Sequence, residues 1–212
     1  MNIQTRSATL HHQIPATQTY QLLNNQLTIF LRAWGASEYN QKVIDEITHY
    51  LSTTQADIEV TTPFDYLESL SSLANRTRVA VLLAHDLLYK TDNRTEYVVG
   101  FEVMVLFKAR YEMAWASVGR FSLSKLMQDR LNPILASGTD LDREVLLPVE
   151  LIGLEKEINV NSGSVFFDDH SKLTVTSGYN CDFKVSDPGS SSNLIEAVPS
   201  QSTYWFSVIT PG

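Results

Sequence analysis

Arginines, and a thin scatter of His, Asp and Cys, are the side chains whose chemistry could make a site. A guanidinium stays protonated and presents a planar fork of donors, so converging arginines can hold a phosphate or a carboxylate bidentately. The alternative for the same residues is internal: ion pairs with some of the 24 acidic side chains. His11, His12, Asp168, Asp169 and His170 are metal-capable, but no His-x-Glu-x-His or comparable spacing joins them, so they read as loop or surface positions. Cys181 is the single cysteine and has no His or Asn near it in a nucleophile signature, which makes it an ordinary thiol. Asn75 and Asn93 each open an Asn-Arg-Thr sequon, a chance match in a chain without secretion.

The stretch Tyr97 to Leu123 must hold whatever site exists. Tyr97, Val98, Val99, Phe101 and Val103 to Phe107 form an apolar run with Glu102 as its only charge, and its β-branched and aromatic residues predict a strand covered on both faces. Lys108-Ala109-Arg110 interrupts the run, and a second strand from Tyr111 ends at Val118-Gly119, which predicts a central hairpin. Upstream, Ile3 to Leu10 reads as a short strand, Gln13 to Leu23 as a loop or edge strand, and Gln26 to Arg32 as a central strand. That strand stops at the turn-permissive Ala33-Trp34-Gly35-Ala36.

Ser37 can cap a helix carrying Val43, Ile44, Ile47, Tyr50 and Leu51, and Thr61-Thr62-Pro63 is expected to open a longer one reaching Tyr89. Two helices between strand groups suggest a helical layer across a sheet. Phe121 to Leu126 reads as a strand, Asn132-Pro133 as loop, and Asn161-Ser162-Gly163 as a turn. Ser164 to Phe167 and Lys172 to Thr176 read as a strand pair, Gly178 to Ser192 as irregular, and Tyr204 to Ile209 as a closing strand. Trp115 and Trp205 are assigned to the core or its rim.

With 43% hydrophobic and 19% charged residues, the 212-residue chain can bury a sizeable core, and a single domain spanning 1–212 is expected. A net charge of -8 argues against a general nucleic-acid or anionic-membrane binder. No apolar stretch approaches the roughly 20 residues that span a bilayer, and Met1 to Gln13 lacks a signal-peptide core, so a cytoplasmic protein without membrane insertion is expected.

The order of the pieces resembles the metal-dependent protein phosphatase 2C family over most of the chain. The sequence runs from a strand to Arg32-Ala33-Trp34-Gly35-Ala36, two helices, and a hairpin ending Ser117-Val118-Gly119. Leu-Pro, Leu151-Ile152-Gly153-Leu154, Asn161-Ser162-Gly163 and Leu173 to Gly178 follow. The resemblance implies an α+β fold, an α-β-β-α sandwich of two antiparallel sheets flanked by helices, with a dinuclear Mn²⁺/Mg²⁺ site hydrolysing phosphoserine and phosphothreonine.

The family's motifs are altered where they bind metal. Its Ala-Asp-Gly-Met-Gly-Gly corresponds to Leu31-Arg32-Ala33-Trp34-Gly35-Ala36, so the bridging Asp is Arg32. Its Val-Gly-Asp-Ser-Arg corresponds to Val118-Gly119-Arg120-Phe121-Ser122, and its Ser-Asp-Gly to Thr176-Ser177-Gly178. The final Asp-Asn falls near Ser202-Thr203. The N-terminal Arg-x-x-x-Glu-Asp pattern keeps only Arg6, with His11 at its end, and the segment after Gly178 is short for the family's usual helix.

Hard divalent cations need several oxygen ligands, and guanidinium groups repel them. The resemblance therefore implies a catalytically inactive pseudophosphatase with no cofactor. Such a chain is expected to be a binding or scaffold module for a protein partner, with a phosphoprotein or a kinase as candidates. Arg6, His11, Arg32, Trp34, Arg120 and Ser177 are the candidate anion or partner pocket, Trp34 plugging the cleft or lying at an interface. The alternatives are an active phosphoester hydrolase with rebuilt metal ligands and a structural subunit related only by ancestry.

Overall fold

Two antiparallel sheets of five strands each organise the chain in the computed structural model. It describes residues 1–9, 14–56, 62–127, 130–136, 150–179, 182–186, 195–198 and 203–212. The elements up to the first long hairpin are β1 (Asn2–Ala8), β2 (Gln18–Leu22), β3 (Leu27–Gly35), α1 (Asn40–Ala56), α2 (Ser72–Leu87), β4 (Val99–Ala109) and β5 (Glu112–Val118). They continue as β6 (Ser122–Met127), β7 (Arg130–Leu135), β8 (Asn161–Phe166), β9 (Lys172–Tyr179), β10 (Asp182–Val185), β11 (Ile195–Val198) and β12 (Thr203–Thr210). One sheet has the order β1-β12-β9-β6-β7, the other β2-β3-β4-β5-β8, and β10 pairs with β11 as a small separate hairpin. The chain divides into two compact units. One holds Pro15–Gly119 with Pro148–Phe166, and the other Met1–Ile14, Arg120–Leu147 and Phe167–Gly212. No described helix is long and apolar enough to cross a membrane.

In the unit holding β3, β4 and both helices, side chains alternate across the sheet. Leu27, Ile29 and Leu31 of β3, with Val103, Val105 and Phe107 of β4, belong to one core with Val43, Ile47 and Leu51 of α1 and Ala74, Val81 and Ala84 of α2. Residues between them, Phe30, Met104 and Leu106, are fully buried on the opposite face. Burial on both faces is the reason β4 reads as an unbroken apolar run. Its hairpin with β5 turns at Arg110, which holds a left-handed φ of 55°.

Several expectations in this unit need correction: β3 runs on through Ala33, Trp34 and Gly35 instead of stopping there, and Ser37 lies in a short 3₁₀ turn ahead of α1 rather than capping it. The second helix does not start at Thr61-Thr62-Pro63, as residues 62–71 are irregular and α2 begins at Ser72. Ser71 is its cap, accepting from Ala74 N at 3.1 Å. Asn75 explains the delay: buried, it accepts from Leu67 N at 2.8 Å and donates to Leu67 O at 2.9 Å, satisfying backbone that an earlier helix would have used. Asn161-Ser162-Gly163 is a strand rather than a turn, paired with Ser117, Ala116 and Trp115. Gly163 is there for space, since a Cβ would stand 2.9 Å from the Trp115 indole.

In the other unit, β12 is second in its sheet, between β1 and β9. Trp205, Ser207 and Ile209 lie on one face, and Tyr204, Phe206 and Val208 on the other. Ile195 of β11, with Phe183 of β10 and Leu131 of β7, packs on Phe206, Val208 and Tyr204. Phe183 meets Tyr204 and Phe206 edge-on, with ring centroids 6.4 and 6.2 Å apart. Among the described residues this unit has no helix, and part of the segment expected to be irregular forms the covering hairpin. Asn132-Pro133 lies in edge strand β7 rather than a loop; β7 pairs only with β6 among the described residues, so a missing N–H is tolerated there. Residues 164–167 and 172–176 are not a strand pair, because β8 belongs to one sheet and β9 to the other. A turn connects them, in which Asp168 accepts from Ser171 Oγ at 2.7 Å and from His170 N at 3.2 Å.

Candidate functional site

At the end of β3, pleating sets Arg32 and Trp34 on one face, and the antiparallel register places Glu102 directly opposite Arg32. Arg32 Nη1 donates to Glu102 Oε2 at 2.9 Å, and Trp34 Nε1 donates to the same oxygen at 3.0 Å. The other edge of the guanidinium reaches Thr17, whose Oγ1 accepts from Nη2 at 2.8 Å and from Nε at 3.2 Å. Arg32 is 2% exposed and Glu102 fully buried, so two opposite charges lie out of water beside each other. Such burial is tolerated only when the remaining donors and acceptors are also satisfied, and Thr17 and Trp34 provide that.

The backbone around the pair is tight. Gly119 sits at a φ of +92°, and a Cβ on it would lie 2.5 Å from Glu102 Cγ, so the glycine of Val118-Gly119 leaves the space that Glu102 occupies. The Tyr97 hydroxyl donates to the Trp34 carbonyl. Trp34, 9% exposed, is thereby tied at both its indole and its backbone.

The remaining candidates lie in the other unit. Arg120 is 9% exposed. Ser177 is buried, opposite Trp205 in the β9–β12 ladder, and its hydroxyl has no hydrogen-bond partner among the described residues. Arg6 is exposed on β1 and pairs with Phe206, on the face of its sheet opposite Ser177. His11, His12, Cys181 and the loop 140–144 lie outside the described residues. His170 is exposed. Trp115 and Trp205 are 7% and 4% exposed, in keeping with core positions.

Thus Arg32 and Trp34 come together, and what joins them is Glu102, which the sequence-based selection of site residues omitted. A signal for it was present. A lone carboxylate in a strand buried on both faces must meet a cation, and the neighbouring central strand ends in one. Chemically the cluster is saturated with charge compensation. Its guanidinium cannot act as a base or bind a cation, and an anion entering there would have to displace Glu102. The residues at the positions matched to metal ligands, Arg32, Arg120 and Ser177, do not fit a dinuclear Mn²⁺ or Mg²⁺ centre. Among the described residues, no three His, Cys, Asp or Glu gather into a group able to hold a metal ion.

No family model matches the sequence, and no curated protein does. Solved structures do match in fold. The Mycobacterium tuberculosis serine/threonine phosphatase PstP/Ppp is similar with a TM-score of 0.60 at 12% identity, over 98% of this chain and 97% of that one. The PPM Ser-Thr phosphatase MsPP from Mycobacterium smegmatis, in complex with cacodylate, gives 0.61 at 10% identity over 100% and 99%. The PstP catalytic domain in complex with 2 manganese ions gives 0.56 at 12% identity over 98% and 96%. Two five-stranded antiparallel sheets and two helices, aligned with these enzymes over nearly their whole length, show that the chain has the protein phosphatase 2C-like α+β fold.

Proposed function

We propose that the chain is a non-catalytic protein phosphatase 2C-like module, a cytoplasmic pseudophosphatase that binds a protein partner, with phosphoproteins and kinases as the candidate class. The observation that carries this reading is the buried Arg32–Glu102 pair with Trp34 on the same carboxylate. The resemblance puts a metal-bridging Asp at position 32, and this chain puts there a cation whose counter-ion comes from the next strand. A solved neighbour carries two manganese ions, whereas the side chains here that correspond to metal ligands offer no carboxylate. Without the ion there is no activated water and no charge stabilisation for phosphoryl transfer.

A competing reading, an active phosphoester hydrolase with rebuilt ligands, draws on the solved neighbours being phosphatases. Purified protein incubated with p-nitrophenyl phosphate and with a phosphothreonine peptide in excess Mn²⁺, together with metal analysis after dialysis, separates the two. The expected result is turnover no greater than buffer and substoichiometric metal. Sustained turnover with about one or two bound ions per chain overturns the proposal.

A further inference from the structure

We propose that the segment Glu150 to Ile158 forms a docking cavity for a Lys or Arg side chain flanked by an apolar residue in a protein partner; this rests on the reading of the chain as a binding module and names the chemistry of what it binds. A cavity of about 170 Å³ is lined by Glu150, Leu151, Leu154, Glu155, Glu157 and Ile158. Its floor is apolar, with Leu151 buried and Leu154 and Ile158 half-buried, and its three carboxylate side chains belong to exposed residues.

The floor is fixed before any partner arrives. Ile152 and Phe101 exchange backbone bonds of 2.9 and 3.2 Å, joining the segment to β4. Gly153 N donates to His85 Nδ1 at 3.0 Å, and Asn93 Nδ2 donates to Gly153 O at 2.7 Å and to Val99 O at 2.6 Å. Gly100 lets the leucines approach β4 closely, since a Cβ there would stand 3.0 Å from Leu151 Cβ and 3.1 Å from Leu154 Cγ. A preorganised floor avoids much of the ordering cost of association.

Charge and size select the occupant. Between Glu150 and Ile158 there are three carboxylates and one cation, Lys156, in a chain whose net charge is -8. The carboxylates do not form a metal-holding group, so a compact divalent ion is a poor fit. A volume of about 170 Å³ is also below the roughly 300–1,000 Å³ typical of small-molecule pockets. A long cationic side chain matches both features, laying its methylenes on Leu154 and Ile158 while its head stays at the carboxylates in water.

The test uses fluorescence anisotropy with the whole chain and a fluorescein-labelled peptide of alternating Leu and Lys/Arg. Two control peptides replace Lys/Arg by Gln or Leu by Ser. The protein variant is E150Q/E155Q/E157Q, which changes only exposed residues, with circular dichroism confirming its fold. The expected result is saturable binding by wild type that falls about tenfold or more in the triple variant and with either control peptide. Equal binding by the triple variant, equal binding of the Leu-to-Ser peptide, or no binding of the parent peptide each overturns the proposal. The Mn²⁺-dependent turnover assay reads the non-catalytic proposal independently, so the two fail separately.

Discussion

In the β2-β3-β4-β5-β8 sheet the central strands are buried on both faces, and the arginine it encloses meets a carboxylate on the next strand. The β1-β12-β9-β6-β7 sheet places an aromatic cluster and a short hairpin on one face and leaves Arg6 exposed at its edge. Both sheets are antiparallel, so the contrast between the two arginines is one of solvent. Where water is absent a charge needs a built partner, whereas Arg6 in the edge strand needs none. Removing a charge partner should therefore be most damaging in the first sheet, whereas the hairpin covering the second should respond to lost apolar contact.

The largest effect should come from Glu102→Ala. It strips the carboxylate from Arg32 and Trp34 and leaves a guanidinium buried, so urea unfolding should show a loss of about 3–5 kcal/mol. The double variant Arg32→Met/Glu102→Leu should recover most of that, because it removes both charges and retains volume. If the single variant costs less than about 1 kcal/mol, in the range of exposed ion pairs, the distinction between the sheets fails.

A smaller loss is expected from Phe183→Ala in the other sheet's cover. Phe183 is half-buried and contributes two edge-on ring contacts, so its truncation should cost roughly 1–2 kcal/mol in the same measurement. A loss equal to that of Glu102→Ala would mean that the hairpin is as integral to the fold as the buried pair.

The same contrast governs what was legible in the sequence. Strands β3 and β4 were readable because burial on both faces leaves an apolar run, and β12 because Trp205 to Ile209 is nearly as apolar. The start of α2 was not, because Pro63 supplies a helix-opening signal that the bonds between Asn75 and Leu67, eight residues apart, override. Gly163 was misread for a related reason: glycine signals a turn locally, and here it makes room for an indole on another strand. At the candidate site, Arg32 and Trp34 could be picked from motif departures, but their joining through Glu102 depends on strand register, which no local pattern encodes. Arg6 matched a motif position yet stands on the opposite face of its sheet from Ser177, a matter of pleat parity.

The smallest expected effect concerns a second buried polar group in the first sheet's unit, and it depends on pH. Burial lowers the pKa of His85, with Lys90 adding to the shift while Asp86 and the backbone of Glu155 and Lys156 oppose it. Neutral His85 accepts from Gly153 N, and protonation of Nδ1 removes that acceptor. The folded chain thus binds this proton more weakly than the unfolded chain, whose histidine titrates near 6.5. Stability from this group is complete above about pH 6.5, declines as pH falls below it, and levels off beneath the lowered folded pKa. One proton limits the slope to about 1.4 kcal/mol per pH unit. His85→Gln keeps an acceptor for Gly153 N and does not titrate, so its stability measured by urea unfolding from pH 7 to pH 5 should fall less steeply than wild type. Parallel curves would mean that His85 keeps its ordinary affinity for the proton and that its bond to the 150–158 segment contributes little.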